Sequence, residues 1–251
     1  MDKLNPIVLI PARLASTRLP GKPLALIAGE AMIVHVWRRA MEAGIGPVAV
    51  ACAESEIAQA VTRAGGKAVL TRPGHPSGSD RIFEALRILD PGARHDLVVN
   101  VQGDLPLLDP AAIRAALTPL ADPGCDIATL CAKLEPGEMD APSVVKVQAE
   151  FAKGKTIARA LSFSRQAVPS AWHHIGLYAY RRKALERFVA LAPSASEKRE
   201  NLEQWRALDG GMRIDVALVD AVPFGVDTPA DLERARALFA KRQAAKSPKA
   251  S

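Results

Sequence analysis

Aromatic residues are scarce, with two Tyr, three Trp and six Phe among 251 residues. None interleaves with basic side chains in the way a base-stacking surface requires. A nucleic-acid platform is therefore disfavoured, although the formal net charge is +6. Four of the cations, Lys241, Arg242, Lys246 and Lys249, lie in a terminal stretch without acids, and the rest of the chain is nearly neutral. Cysteine is also rare. Cys52, Cys125 and Cys131 are odd in number, sit in or beside apolar runs and lack metal-ligand spacing. Buried free thiols in a reducing compartment are the expectation. No apolar run approaches the roughly 20 residues that span a bilayer. No basic segment followed by a long apolar one opens the chain, so a cytoplasmic location is expected. A phosphate-loop lysine motif and a GxGxxG are both missing, which weakens ordinary NTPase and dinucleotide-binding readings.

Hydrophobic residues make up 49% of the chain, enough for one large domain or two small ones. No linker long enough to separate two is visible, and there is no internal repeat. Apolar runs bounded by turn residues recur at Ile7–Ile10, Val48–Ala51, Ala68–Leu70 and Leu97–Val101 and read as buried strands. Between them, Met32–Glu42, Glu54–Ala64 and Ser79–Leu89 carry apolar residues at helical spacing. This alternation predicts an α/β fold with a parallel sheet. In the second half Ile127–Leu130, Val144–Val147, Ile175–Tyr180 and Ile214–Val219 read as strands, some of them antiparallel, with helices near Arg182–Ala190 and Asn201–Leu208. A final helix is expected to start at Thr228-Pro229-Ala230-Asp231, where Asp231 can close a capping box, and to end near Arg242. The domain is thus read as residues 1–242, with residues 243–251 a disordered basic tail.

The stretch PARLASTRLPGKP, Pro11 to Pro23, leaves the carboxyl end of the first strand, where ligands of open parallel sheets gather. Arg13, Arg18 and Lys22 have no acid near them in sequence until Glu30. Guanidinium forks and an ammonium match phosphate oxygens, and Gly21, Ala15, Ser16 and Thr17 let backbone N–H groups come close. A solvated surface turn is the competing reading, and composition alone does not choose between them.

Two acids stand where a partner cation for phosphates would be sought. Val98-Val99-Asn100-Val101-Gln102-Gly103-Asp104 runs a buried strand into Gly and Asp, and Gly225-Val226-Asp227 places an acid before a helix cap. For Asp227 a purely local role at the helix dipole competes strongly. Two such carboxylates far apart in sequence would share one Mg²⁺ only if the fold brings them together.

Taken in order, PARLASTRLPGKPL, HPSGSDRI, VNVQGD, HHIGLYAYRR, LEQWRAL and GVDTPADLERAR resemble the motif series of the 3-deoxy-manno-octulosonate cytidylyltransferase (CMP-Kdo synthetase) family, from about Pro6 to Arg242. The resemblance implies a single α/β domain of the nucleotide-diphospho-sugar transferase type, Rossmann-like, with a mixed, mostly parallel sheet flanked by helices. It implies a homodimer that makes CMP-Kdo and diphosphate from CTP and Kdo for lipopolysaccharide biosynthesis. Carried over residue by residue, Ala12 and Arg13 would lie beside the nucleoside, Arg18 and Lys22 on the phosphates, and Arg72, Ser77 and Gly78 near cytosine. Arg81 and Gln102 would face the sugar acid, His174, Tyr178 and Glu203 would bind it, and Asp104 and Asp227 would ligate Mg²⁺.

Without the motif order, His174 would read as structural, Tyr178 as strand core and Glu203 as solvated. His174 is a candidate general base only by its neighbourhood. The sequence departs from the family pattern at Leu105, where Glu commonly follows the Asp, and between Arg165 and Trp172, a segment shorter than in many members. These departures keep two alternatives open: a cytidylyltransferase for another acidic sugar, amino-Kdo or sialic-acid-like, and a nucleotide-sugar-binding homologue with impaired catalysis.

Overall fold

The structure is a computed structural model and describes residues 4–246. Eleven strands and eight helices are formed by these residues. In chain order they are β1 (Pro6–Ala12), β2 (Leu26–Ile27), β3 (Glu30–Ala31), α1 (Met32–Glu42), β4 (Val48–Cys52), α2 (Ser55–Arg63), β5 (Lys67–Leu70), α3 (Gly78–Leu89), β6 (Leu97–Asn100) and α4 (Pro110–Ala115). There follow β7 (Ile127–Ala132), β8 (Lys146–Ala149), β9 (Ile157–Ser164), β10 (Ala171–Arg181), α5 (Arg182–Ala190), α6 (Ala195–Glu200), α7 (Gln204–Asp209), β11 (Ile214–Leu218) and α8 (Pro229–Lys246).

Nine strands form one sheet in the order β5-β4-β1-β6-β10-β7-β11-β9-β8, while β2 and β3 make a separate hairpin. The first four in that order are parallel, as the alternating strand and helix patterns predict. Strands β9 and β10 run against the rest. The first residues of β10 also pair with β8, so the sheet's far end curls back on itself.

The period of two along β1 sorts its side chains. Val8 and Ile10 face a core shared with α1, α2 and α4, and Ile7 and Leu9 face a second core shared with α3 and α5. Each fully buried Ile, Leu or Val contributes on the order of 1.5–3 kcal/mol, so both faces of the central strands are committed to packing. The ends of those strands are left for chemistry.

Several elements differ from expectation, including the β2–β3 hairpin, α4 and α6, which had no clear sequence pattern. β9 was not anticipated. Helix α7 starts at Gln204, and Asn201 before it takes a left-handed conformation, φ 53°, that ends α6. Helix α8 extends through Gln243-Ala244-Ala245-Lys246 rather than ending near Arg242, because Gln, Ala and Lys are good helix formers with no Gly or Pro to interrupt them. Residues 243–246 of the expected disordered tail are therefore helical, and residues 247–251 lie outside the described residues. The capping box at its start forms as read: Asp231 N–H donates to Thr228 Oγ1 at 3.2 Å and Thr228 N–H to Asp231 Oδ2 at 2.9 Å. Among the described residues no helix is long and apolar enough to cross a membrane.

Candidate active site

The basic loop is pinned at its middle. Leu19 is buried with Ile27, Met32, Val226, Leu232 and Ala235, so the loop is clamped between the hairpin, the start of α1 and α8. Gly21, at φ 68°, occupies the left-handed region that costs any other L-residue strain, and a 3-10 turn, Lys22–Leu24, follows. This reversal brings Lys22 back to the sheet edge.

On the neighbouring strand the ladder continues one residue past β6, with Val101 N–H donating to the Leu9 carbonyl at 3.1 Å. Gly103 then passes so close to β1 that a Cβ there would sit 2.8 Å from the Pro11 carbonyl oxygen. The Asp104 carbonyl accepts from Val226 N–H at 2.9 Å, which ties the two acidic segments together through their backbones.

The consequence is that Asp104 and Asp227, 123 positions apart in the numbering, share one ammonium. Lys22 Nζ lies 2.8 Å from Asp104 Oδ2 and 3.0 Å from Asp227 Oδ1. Arg18 Nη2 is 3.0 Å from Asp227 Oδ1. Burial pulls the Lys22 pKa down, but the two carboxylates outweigh it and the net effect is a rise, so the ammonium stays charged.

This cluster heads an open cleft of about 420 Å³. Ala12, Arg13, Arg18, Lys22, Ser77, Gly78, Arg81, Gln102, Asp104 and Asp227 all line it, together with His75 and Gly103. Ser77 caps α3, accepting from Asp80 N–H at 3.2 Å. A Cβ on Gly78 would meet Pro11 Cγ at 3.2 Å, so the amino end of α3 is packed directly on the end of β1. The amino end of a helix and four cations, Arg13, Arg18, Lys22 and Arg81, thus border one volume, an arrangement suited to a polyphosphate.

Two of the expected nucleotide or sugar residues, Arg72 and Arg81, have partners outside the acidic cluster. Arg72 has an 80% exposed side chain, with Nε 3.6 Å from Glu84 Oε2, and lines a neighbouring depression with Phe83 and Arg87. Arg81 is 2% exposed and donates from Nη1 to Thr71 Oγ1 at 2.7 Å and from Nη2 to the Pro73 carbonyl at 3.2 Å. It holds the loop ahead of α3 while contributing to the cleft wall. His75, hydrogen-bonded to Glu84, was not singled out from sequence. Its place between a strand end and a helix start, in Gly74-His75-Pro76, was the available signal.

His174, Tyr178 and Glu203 gather behind the start of α3 and not in the cleft. A register shift in β10 between Ile175 and Tyr178 places the His174 and Tyr178 rings 5.7 Å apart. Tyr178 and Glu203 line a small pocket with Tyr180 and Phe188. Glu203 Oε2 accepts from Ser79 Oγ at 3.2 Å, while its buried Oε1 has no protein partner. Burial raises the Glu203 pKa despite help from Ser77, Arg206 and Ser79. Ser79, adjacent to Ser77 and Gly78, links this pocket to the cleft. Burial pushes His174 down to about 3, and its Nε2 lies 3.1 Å from Thr129 Oγ1. It is therefore neutral at ordinary pH and too weak a base to hold a proton there.

Among the described residues no cluster of three or more His, Cys, Asp or Glu is placed to hold a metal. The Asp104 and Asp227 pair offers two hard oxygen donors, which suits a divalent ion that takes its remaining ligands from phosphates and water. The residues fit such an ion provided Lys22 moves aside.

A cytidylyltransferase family model matches residues 7–214. The 3-deoxy-manno-octulosonate cytidylyltransferase of Methylobacterium radiotolerans is 65% identical over 244 residues, 95% of this chain and 98% of that protein. The chain belongs to the 3-deoxy-manno-octulosonate cytidylyltransferase family. The family member from Paramagnetospirillum magneticum is 60% identical, with 95% of this chain and 99% of the relative covered. A solved structure of CMP:2-keto-3-deoxy-manno-octonic acid synthetase complexed with CTP superposes with a TM-score of 0.86 at 40% identity, covering 95% of this chain and 99% of that one. The fold expected of a 3-deoxy-manno-octulosonate cytidylyltransferase is thus the fold observed. Leu105, where the family pattern led us to expect Glu, packs against the core below β1 and β6, with Cδ2 3.6 Å from where a Cβ on Gly225 would lie. It serves as an apolar prop between the two acidic segments.

Proposed function

We propose that this chain transfers a cytidylyl group from CTP to Kdo, releasing diphosphate, and that Mg²⁺ assists. The observation carrying the reading is the convergence of Asp104 and Asp227 on Lys22 at the head of a cleft walled by Arg13 and Arg18. The named relatives and the CTP-bound neighbour support the substrates.

In this reading the anomeric hydroxyl of Kdo gives up its proton to solvent as its oxygen bonds to the α-phosphorus, the bond from that phosphorus to the bridging oxygen breaks, and diphosphate leaves with the electron pair. Arg18 and Lys22 receive the charge that accumulates on the leaving group. The α3 amino end, with Ser77 and Gly78, orients the nucleotide, and Arg13 supplies charge beside it. Tyr178 and Glu203 bind the sugar next to the cleft, with His174 as a neutral support. Asp104 and Asp227 would hold Mg²⁺, which when bound would supply charge neutralisation for the phosphates. Positioning and charge stabilisation carry the rate in this scheme. We further propose a cytoplasmic homodimer. Three buried free thiols fit the compartment; the dimer rests on family resemblance.

The test is diphosphate release from purified protein with CTP, Mg²⁺ and Kdo, each omitted in turn, and with other sugar acids substituted for Kdo. Release needing all three components supports the reading; faster release with another sugar overturns the choice of Kdo. Asp104→Asn is expected to lower kcat by at least about 10²-fold with an unchanged circular-dichroism spectrum. Retention of most of kcat would remove Asp104 from the mechanism.

A further inference from the structure

Lys22 occupies the place where a metal would go. Its Nζ is within hydrogen-bond distance of both carboxylates, and Arg18 holds Asp227 from the other side. In formal charge, two carboxylates are already balanced by one ammonium and one guanidinium. A divalent cation entering alone would meet carboxylates already neutralised and leave two positive charges uncompensated in a half-buried site. The backbone that carries both carboxylates is fixed: Val226 N–H holds the Asp104 carbonyl, and Asp227 N–H donates to Asp231 Oδ2 at 3.2 Å. The mobile partner is the lysine, whose flexible four-carbon stem rises from the turn after Gly21. A triphosphate supplies what is missing, since it offers both Lys22 and Arg18 new anionic partners and frees the carboxylates in the same event.

We propose that Lys22 is a placeholder cation: it neutralises the Asp104 and Asp227 pair in the free protein and is exchanged for the divalent cation when the triphosphate arrives. Metal and CTP therefore bind cooperatively, and the metal binds poorly alone. Lys22 is then a positioning residue in the free state and a phosphate ligand in the loaded one. The inference rests on the reading of the two aspartates as the metal seat.

The experiment titrates Mn²⁺ into the full chain without nucleotide, following free Mn²⁺ by electron paramagnetic resonance. Wild type is compared with Lys22→Met and Lys22→Gln, and metal-induced shifts in Tm provide a readout independent of activity. Both variants are expected to bind Mn²⁺ alone at least tenfold more tightly than wild type and to gain more Tm from it. Their affinity for CTP without metal is expected to fall. Equal or weaker Mn²⁺ binding by both folded variants overturns the placeholder. Asp104→Asn separates this from the metal seat itself: if Mn²⁺ binding with CTP present survives that change undiminished over CTP in buffer, the metal reading fails and the placeholder with it. Should Lys22→Met fail to fold, Lys22→Gln, shorter but polar and neutral, decides the question alone.

Discussion

Replacing Gly103 with alanine would put a Cβ 2.8 Å from the Pro11 carbonyl oxygen and 3.4 Å from Ile33 Cδ1. The first of these atoms is backbone at the end of a central strand and has no rotamer into which to retreat. Relieving the contact requires a shift of about half an ångström, and the residue forced to move with Gly103 is Asp104. Overpacking of this kind costs about 1–3 kcal/mol, which for a domain of this size corresponds to a fall in Tm of roughly 2–12 °C. Displacement of a catalytic group by a full ångström can cost about 10²-fold, so half that displacement predicts about a tenfold loss of kcat. Gly225 is the matched control beside the other aspartate: its added Cβ would meet only Leu105 Cδ2, at 3.6 Å, an ordinary contact. Thermal melts and diphosphate release should therefore separate Gly103→Ala from Gly225→Ala, the latter staying within about 1 °C and twofold of wild type. If the two variants behave alike, the close approach of β1 to Gly103 does not set the position of Asp104, and the reasoning is refuted.

Asp90, fully buried, tests the scaffold away from the cleft. Burial raises its pKa, but N–H groups of His95 and Arg94 and the Arg182 guanidinium, 2.6 Å away, outweigh this and hold it at about 2. A carboxyl depressed from 3.8 contributes stability above that pH and loses it as pH falls toward 2. Asp90→Asn should thus cost on the order of 2 kcal/mol at pH 7, with the gap to wild type closing in melts run below pH 4; a gap independent of pH would sink the assignment. Burial pushes Cys52 up to about 11 and Cys125 and Cys131 up to about 12. Native protein at pH 8 should therefore leave all three thiols unreacted with a disulfide reagent, and denatured protein should titrate three; rapid labelling of the native state would contradict the burial.

Helix α1 was legible at both ends, because Met32–Glu42 carries its apolar residues at helical spacing and Gly29 and Gly44 punctuate it. Strand β9 was not, because ARALSFS alternates small buried Ala with exposed Arg and Leu and so lacks the dense apolar run that marked the central strands. The basic loop and both aspartates stood out as abrupt changes of residue type at strand ends. Their meeting on Lys22 depends on the Asp104 to Val226 backbone bond, which no local pattern encodes. His174 sits near the sugar-side residues, and only its burial beside Phe163 and Thr129, which no local pattern encodes, shows that it stays uncharged.

Strand β11 lies between β7 and β9, two strands made well before it. During synthesis, a chain halted short of Ile214 leaves one edge of each without a partner, and unpaired edges invite pairing with other chains. The same truncated chain also lacks Asp227. Closure of the sheet and completion of the acidic pair thus await the same closing stretch of translation, so an unfinished copy is at once the most prone to aggregate and the least able to seat a cation.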